Sequence, residues 1–349
     1  MRQQYREQWN VVNSTGREGE LFSVFGVENP LMDIIAHVDY GFLKRFGKQP
    51  GSMHLVDHDE IEALLKELPS FRVLPGGSAA NTTRGIAWLA GTEARDFLKP
   101  FGVGAHDGAG RLPPVFNGAV GRDATGDKFE SLMEEARVTT AIVRKATPTG
   151  TSVILVTPDG ERTMNTYLGA CRDFGPQDLD LPRLAASRIL YLTGYLWDTA
   201  GQDAAARKAA GAGPAVVAFD LADSFAVRRS GDAFRSWIPG HVNVLFGNRD
   251  EIAILTGASC DEDCVTEAQK FAPLIVMKTG EKGCIISQDG KFQEVPGVPV
   301  KLVDTTGAGD AFAAGFLFGM LQGAEPVVCA RLANAIASRI VGREGCSYS

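Results

Sequence analysis

Asp304-Thr305-Thr306-Gly307-Ala308-Gly309-Asp310 carries residue types at a spacing suited to phosphate chemistry. Two glycines separated by one alanine leave several backbone N–H groups unobstructed where a helix is expected to begin. Such bare amides and the positive end of the helix dipole form a ready anion site. Asp310 is the only ionisable side chain between Asp304 and Glu325. A carboxylate beside a phosphate cradle is a poor phosphate ligand, because like charges repel. It makes sense as a base that takes a proton from a hydroxyl attacking that phosphate. The plainer alternative is that Asp310 only complements the helix dipole and the glycines only make a turn. Two other phosphate motifs fail on spacing. A P-loop needs Lys and then Ser or Thr after its last glycine, yet no Lys or Arg occurs between Leu302 and Ala330. A dinucleotide fingerprint needs a third glycine where Phe312 stands.

Three further groups have chemistry to offer. Asp33 follows the run Glu28-Asn29-Pro30-Leu31-Met32, just past an expected strand, where parallel sheets meet their ligands. It reads equally as a capping aspartate. Gly76-Gly77 leads into a helix that carries Asn81 one turn in. Paired glycines allow close approach to the main chain, and an amide side chain can donate to and accept from hydroxyls. Asn248 and Glu251 stand three apart at an expected helix start. They could order water around magnesium, but a capping box is the better reading of the pair by itself.

The elements that must position these residues follow from periodicity. Phe22–Val27, Val115–Val120, Ile189–Leu192, Val216–Phe219, Val242–Phe246 and Leu274–Met277 are short apolar runs, separated by helical stretches. That alternation implies a mostly parallel sheet with crossover helices. Val300–Val303 is expected as a strand leading into the anion stretch, and Ala311–Leu321 as the helix behind it. Residues 148–167 read as a hairpin turning at Pro158-Asp159-Gly160, and 285–287 with 292–295 as an antiparallel pair. Residues 34–57 are irregular; His54 and His58, four apart but without the glutamate of a zinc-protease motif, are expected at the surface or in a cap. Residues 93–114 read as an extended surface excursion, and Met1–Glu20 as a loose arm.

Bulk properties exclude several classes. The chain has 349 residues, 44% hydrophobic and 22% charged, with net charge -7 and no long basic run, which argues against nucleic acid and anionic membranes. Its six cysteines are scattered, as in a reduced intracellular protein rather than a disulfide framework. No metal-ligating partners follow Cys260 and Cys264. The polar start lacks the apolar run of a signal peptide, and the expected location is cytoplasmic.

The Gly-Gly stretch ending at Asn81, the Asn248–Glu251 pair and the Asp304–Asp310 element, in this order and separation, resemble the ribokinase or PfkB family of carbohydrate and nucleoside kinases. The resemblance runs from about Phe22 to Gly345. The run from Glu28 to Asp33, then Val38-Asp39 and Phe42-Leu43, is most similar to the adenosine kinase branch. What the resemblance implies is an α/β, Rossmann-like, mostly parallel sheet flanked by helices, over residues 21–349, with a small β lid from segments near 36–57 and 147–169. It implies ATP-dependent phosphorylation of a primary hydroxyl, with Mg2+ and, in some members, K+. Asp310 corresponds to the catalytic base, and Gly307, Ala308 and Gly309 to the anion hole. Asp33, Gly76, Gly77 and Asn81 correspond to contacts with sugar hydroxyls. Asn248 and Glu251 correspond to the magnesium and phosphate-organising motif, Gly280 to a lining of the nucleotide phosphates, and Asn334 to a neighbour of adenine. Asp304 resembles a residue of the monovalent-cation site. Arg162 is expected to be a solvated hairpin arginine, with reach to phosphates as the alternative. The 93–114 excursion is longer than the family's usual connection. The expected partners are ATP and a small-molecule acceptor, for a monomer or homodimer without nucleic acid or membrane. Three readings stand: a purine nucleoside kinase, a sugar kinase of the same fold, and a non-catalytic nucleotide or nucleoside sensor.

Overall fold

The computed structural model describes residues 21–104, 112–214, 216–343 and 345–348. The expected arm at 1–20 and the centre of the excursion, 105–111, lie outside the described residues. A sheet of nine strands has the order β14-β13-β12-β11-β10-β9-β1-β5-β6. These strands are β1 (Phe22–Val27), β5 (Val115–Gly121), β6 (Thr139–Lys145), β9 (Ser187–Thr193), β10 (Val216–Asp220), β11 (Val244–Asn248), β12 (Leu274–Lys278), β13 (Gly283–Gln288) and β14 (Lys291–Pro296). All pairs are parallel except β12 with β13 and β13 with β14. Helices cover both faces, which is why the strands read as continuous apolar runs rather than alternating ones.

The two faces build separate cores. Val24, Phe116, Tyr191, Ala218 and Phe246 pack with the helices Ser78–Ala90, Ala308–Leu321 and Pro326–Val341. Phe25, Leu190, Val217, Phe219 and Leu245 pack on the opposite side, against Ala200–Ala212, Ser224–Trp237 and Arg249–Thr256. The Ala308–Leu321 helix is buried at every position from Ala311 to Leu321, as expected of a helix apolar all round.

A second sheet has the order β3-β8-β7-β2-β4, from β2 (Leu31–His37), β3 (Met53–Leu55), β4 (Arg72–Gly76), β7 (Gly150–Val156) and β8 (Arg162–Tyr167). Successive side chains of a strand point to opposite faces. One face here packs Ile34, Ala36, Val153 and Leu155 against Phe42, Leu43, Ile61 and Leu64. The other presents Leu31, Asp33, Ser152, Ile154, Arg162, Met164 and Thr166 to a cleft.

Several expectations need correction. The second sheet begins at Leu31, so Asp33 lies inside a strand and not in a turn after β1. Val300–Val303 forms no strand; Val300, Leu302 and Val303 are exposed, and the segment is held by Val303 and Asp304 N–H groups donating to the Val341 carbonyl. The described part of the excursion is no extended loop: Thr92–Ala94, Arg95–Leu98 and Lys99–Phe101 form successive helical turns, with Ala94 and Leu98 buried and Phe97 against Trp88. No helix among the described residues is long and apolar enough to cross a membrane.

Candidate active site

Gly307 caps the Ala308–Leu321 helix with a left-handed backbone, φ 69°. A Cβ on Gly307 would overlap the side chain of Cys346. No capping side chain covers the helix start; the Ala308 N–H donates to the Thr305 carbonyl at 3.2 Å, and the Gly309 amide after it has no capping side chain. Asp310 sits in the first turn. Its Oδ1 accepts from Ser78 Oγ at 2.6 Å and its Oδ2 from Asn81 Nδ2 at 2.9 Å. Asn81 is itself oriented, because Arg84 Nη1 donates to its Oδ1 at 3.1 Å. Two helices from opposite ends of the chain thus meet at one carboxylate. They approach closely: a Cβ on Gly85 would lie 2.7 Å from Ala314.

Burial pushes the Asp310 carboxyl up to about 6, against the lowering effect of Ser78 and Asn81 and with a further raising effect from Asp220. A base with a pKa near the working pH is both ionised and able to hold a proton. Asp33 shares the cleft. Burial and then Asp310 raise it to about 7, opposed by Arg162 and Arg84. A Cβ on Gly76 would fall on the Asp33 carboxylate, and one on Gly77, at φ 93°, on the Asn29 carbonyl. The glycine pair is therefore what leaves room for Asp33.

Sequence reasoning passed over three residues. Glu28 is 2% exposed and takes the Ala79 N–H at 2.7 Å and the Thr193 hydroxyl at 2.5 Å. Burial raises it to about 8. It anchors the start of the helix that carries Ser78 and Asn81. Ser78 stood inside the Gly-Gly stretch without a role. Lys278 ends β12, pairs with Asp220 at 2.9 Å, and places its Nζ 3.3 Å from where a Gly309 Cβ would be. Burial lowers its ammonium, but Asp220 and Glu251 outweigh that and keep it above the usual lysine value. Lys278 is thus a cation beside the anion hole, delivered by a distant strand. A charged residue at a strand's carboxyl end was the available signal.

Asn248 and Glu251 form a full capping box. Asn248 Oδ1 accepts from Glu251 N at 2.9 Å, and Glu251 Oε2 from Asn248 N at 2.8 Å. Asn248 Nδ2 also donates to Glu251 Oε1 at 2.6 Å. Burial raises Glu251. With both carboxylate oxygens engaged, this pair suits ordering the water shell of a hard cation better than direct ligation, and that shell is what magnesium tends to keep. Asp304 accepts from Thr306 N and Oγ1, both at 2.7 Å, from Gly345 N at 2.8 Å, and from Arg162. These donors outweigh burial and hold it below the usual carboxylate range. A carboxylate already taking four donors, one of them cationic, fits a monovalent cation poorly. Arg162 is accordingly not solvated: it is 17% exposed and faces the cleft from β8. Gly280 lies exposed at the turn after β12, φ 65°. Asn334 is buried and donates to the Val295 and Pro296 carbonyls, each at 3.1 Å. Neither lines the cleft that holds Asp310. His54 contacts Ser52 at 2.6 Å and His58 opens the His58–Glu67 helix. Among the described residues no group of three or more His, Cys, Asp or Glu could hold a metal ion.

The cleft encloses about 360 Å³ between the two sheets. Its floor is Asp310, Asn81 and the glycines; one wall is Leu31, Ile154 and Met164; the other includes Tyr195 and Asp198, beyond the end of β9. That is where the strand order reverses around β1, the usual ligand crevice of an open α/β sheet.

A family profile described as pfkB family carbohydrate kinase matches residues 52–349. Adenosine kinase 1 of Arabidopsis thaliana is 25% identical over 351 residues, which cover 93% of this chain and 95% of that one. Among solved structures, adenosine kinase from Sinorhizobium meliloti superposes with a TM-score of 0.82 at 32% identity, covering 93% of this chain and 95% of its own. A probable sugar kinase from Rhizobium etli gives 0.83 at 31% identity, with 94% and 95% covered.

Proposed function

The chain belongs to the pfkB family of carbohydrate kinases and is a phosphotransferase with an alcohol group as acceptor; from that premise we propose that it transfers the γ-phosphoryl group of ATP to the 5′-hydroxyl of a purine nucleoside, adenosine in the first place. One observation carries this reading. The cleft that holds Asp310 is also lined by the apolar Leu31, Ile154 and Met164 and by Tyr195, a surface that a bare sugar would leave wet and a flat base would cover.

In this reading Asp310 takes the acceptor's proton, held at the attacking oxygen by Ser78 and Asn81. Asp33 and Asn81 bind ribose hydroxyls, and the Gly76-Gly77 backbone lets the sugar approach. The amides at Gly307 and Gly309 take up charge on the moving phosphoryl group, while that of Ala308 holds the turn through the Thr305 carbonyl, and Lys278 adds a cation at Gly309. Magnesium, when bound with ATP, supplies charge neutralisation between the phosphates, with Asn248 and Glu251 ordering its waters. Gly280 flanks the nucleotide phosphates. Asn334 holds β14 to the last helix and thereby supports the adenine side, without touching it through its amide nitrogen.

Incubation with Mg-ATP and, separately, adenosine, inosine, guanosine, ribose and fructose tests the assignment by ADP release. Turnover with a nucleoside at least tenfold above the sugars supports it. Preference for ribose or fructose would replace it with the sugar-kinase reading, which the Rhizobium etli likeness favours. Ligand binding without ADP release from any acceptor would leave only a sensor.

A further inference from the structure

Arg84 has no part in the chemistry above and does not line the cleft. It stands one turn after Asn81 on the Ser78–Ala90 helix. Its Nη1 donates to Asn81 Oδ1 at 3.1 Å and to the Pro75 carbonyl at 3.2 Å, and its Nη2 to the Cys346 carbonyl at 3.3 Å. Asn81 is buried and gives its Nδ2 to Asp310 Oδ2 at 2.9 Å. Its side-chain amide is thus caught between two groups of opposite kind. A guanidinium has donors and no acceptor, and an ionised carboxylate has acceptors and no donor. Only one orientation of the amide satisfies both, with its oxygen to Arg84 and its nitrogen to Asp310. Without the guanidinium the amide is free to turn its oxygen toward the carboxylate, which replaces a donor by a repelling lone pair.

Arg84 is itself held from a distant part of the chain, the segment Gly345–Tyr348 that follows the last helix. Gly345 N donates to Asp304 Oδ2 at 2.8 Å, and Cys346 supplies the carbonyl that Arg84 binds. The Cys346 side chain fills the space beside Gly307. The Tyr348 hydroxyl donates to the Asn81 carbonyl at 3.0 Å, and its ring stacks on Trp88. Followed around, these contacts close a ring: Asp304 to Gly345, Cys346 to Arg84, Arg84 to Asn81, Asn81 to Asp310, and the heptapeptide back to Asp304. The two carboxylates of the anion element are therefore fixed relative to each other from outside that element. We propose that Arg84 is a positioning residue, which sets the Asn81 amide so that it donates to the base Asp310, with residues 345–348 holding Arg84 in place. This rests on the reading of Asp310 as base and not on which hydroxyl compound is the acceptor.

Two neutral replacements separate orientation from charge. Arg84→Gln keeps a donor that can reach a side chain one turn back on the helix; Arg84→Met keeps an apolar stem and has none. Both lose the cation, so the loss of its lowering effect on Asp33 is the same in each. The assay uses Mg-ATP and the acceptor that wild type prefers in the panel above. Arg84→Met should lower kcat about 10- to 100-fold, the effect of losing a hydrogen bond to a charged group, with KM for ATP changed less than about twofold. Arg84→Gln should keep kcat within about threefold of wild type, because the amide stays oriented. In an Asn81→Ala background Arg84→Met should cost less than about a further twofold, since the residue acts through that amide. Thermal melts and ADP binding check that each variant is folded. Should Arg84→Met not fold, Arg84→Gln decides by itself: retained kcat supports the proposal, and a loss of about tenfold or more in the folded variant counts against it. Equal losses in the two replacements, an unchanged kcat in Arg84→Met, or its full loss again in the Asn81→Ala background would overturn the role of Arg84 and leave Asp310 as base. Near-normal turnover by Asp310→Asn, or a wild type that releases no ADP with any acceptor, would remove both.

Discussion

Replacing Asp310 by asparagine tests the chemical step with little structural cost, and the hydrogen-bond geometry explains why. Asn81 cannot turn to accept, since its Oδ1 is held by Arg84. The new amide must therefore present its oxygen to Asn81 Nδ2 and its N–H₂ to Ser78, whose hydroxyl can rotate to accept. Both bonds survive, and the cleft loses a carboxylate without losing shape. What disappears is the proton acceptor. General-base removal costs about 10²–10⁴-fold. The expected result for Asp310→Asn is a fall in kcat within that range, with KM for either substrate changed less than about threefold, the pattern of an interaction made only in the transition state. Because burial raises the carboxyl to about 6, wild-type kcat/KM should climb tenfold per pH unit below about 6 and level off above it. The variant's residual rate should lack that limb. ADP release measured by a coupled assay between pH 5 and 8.5 gives both quantities, with the coupling enzymes shown not to limit at each pH. Near-normal turnover in the variant, or an acid limb that persists in it, would refute the assignment of Asp310 as base.

Three other outcomes follow from separate parts of the site. Gly76→Ala puts a methyl group on the Asp33 carboxylate, so KM for the acceptor should rise at least about tenfold while KM for ATP stays put; isothermal titration with acceptor and with ADP checks the split. Arg162→Ala leaves Asp304 buried without its cationic partner, and should destabilise the protein by about 3 kcal/mol in urea unfolding; an unchanged midpoint would mean that Thr306 and Gly345 satisfy Asp304 alone. Ligand-free stability should fall as pH rises from 5.5 to 8.5. Burial raises Glu28 to about 8, Asp33 to about 7 and Asp310 to about 6. The native state therefore binds protons that the unfolded chain, with carboxyls near 4, has released, and their stabilisation is lost as pH climbs through the folded values. His54, lowered chiefly by its own burial, opposes the trend at one half-buried position. A melting temperature that rises steadily over this window would contradict the raised carboxyls.

How far the chain announces all this depends on the range of the interaction concerned. The 304–310 element could be read because its parts are consecutive: a turn, bare amides and an acid in the first helical turn are local consequences of residue type. The parallel sheet was legible for a similar reason, since strands buried on both faces are apolar throughout. Asp33 was misplaced because a strand that starts four residues after another ends looks like one run with a polar tail. Val300–Val303 has the composition of a strand, but β-propensity describes a fit to a pleated, half-buried surface; this segment pairs with no strand and is tied to Val341 instead. Arg162 looked solvated because it stands just past a polar hairpin turn; its partner, Asp304, lies far along the chain. Lys278 shows the same principle at the site itself, a strand-end charge whose meaning is set by Gly309, far along the chain. The reactive centre is local in sequence and its electrostatics are not. Catalysis could therefore be inferred from one heptapeptide, while the features that select the acceptor required the two sheets to be brought face to face.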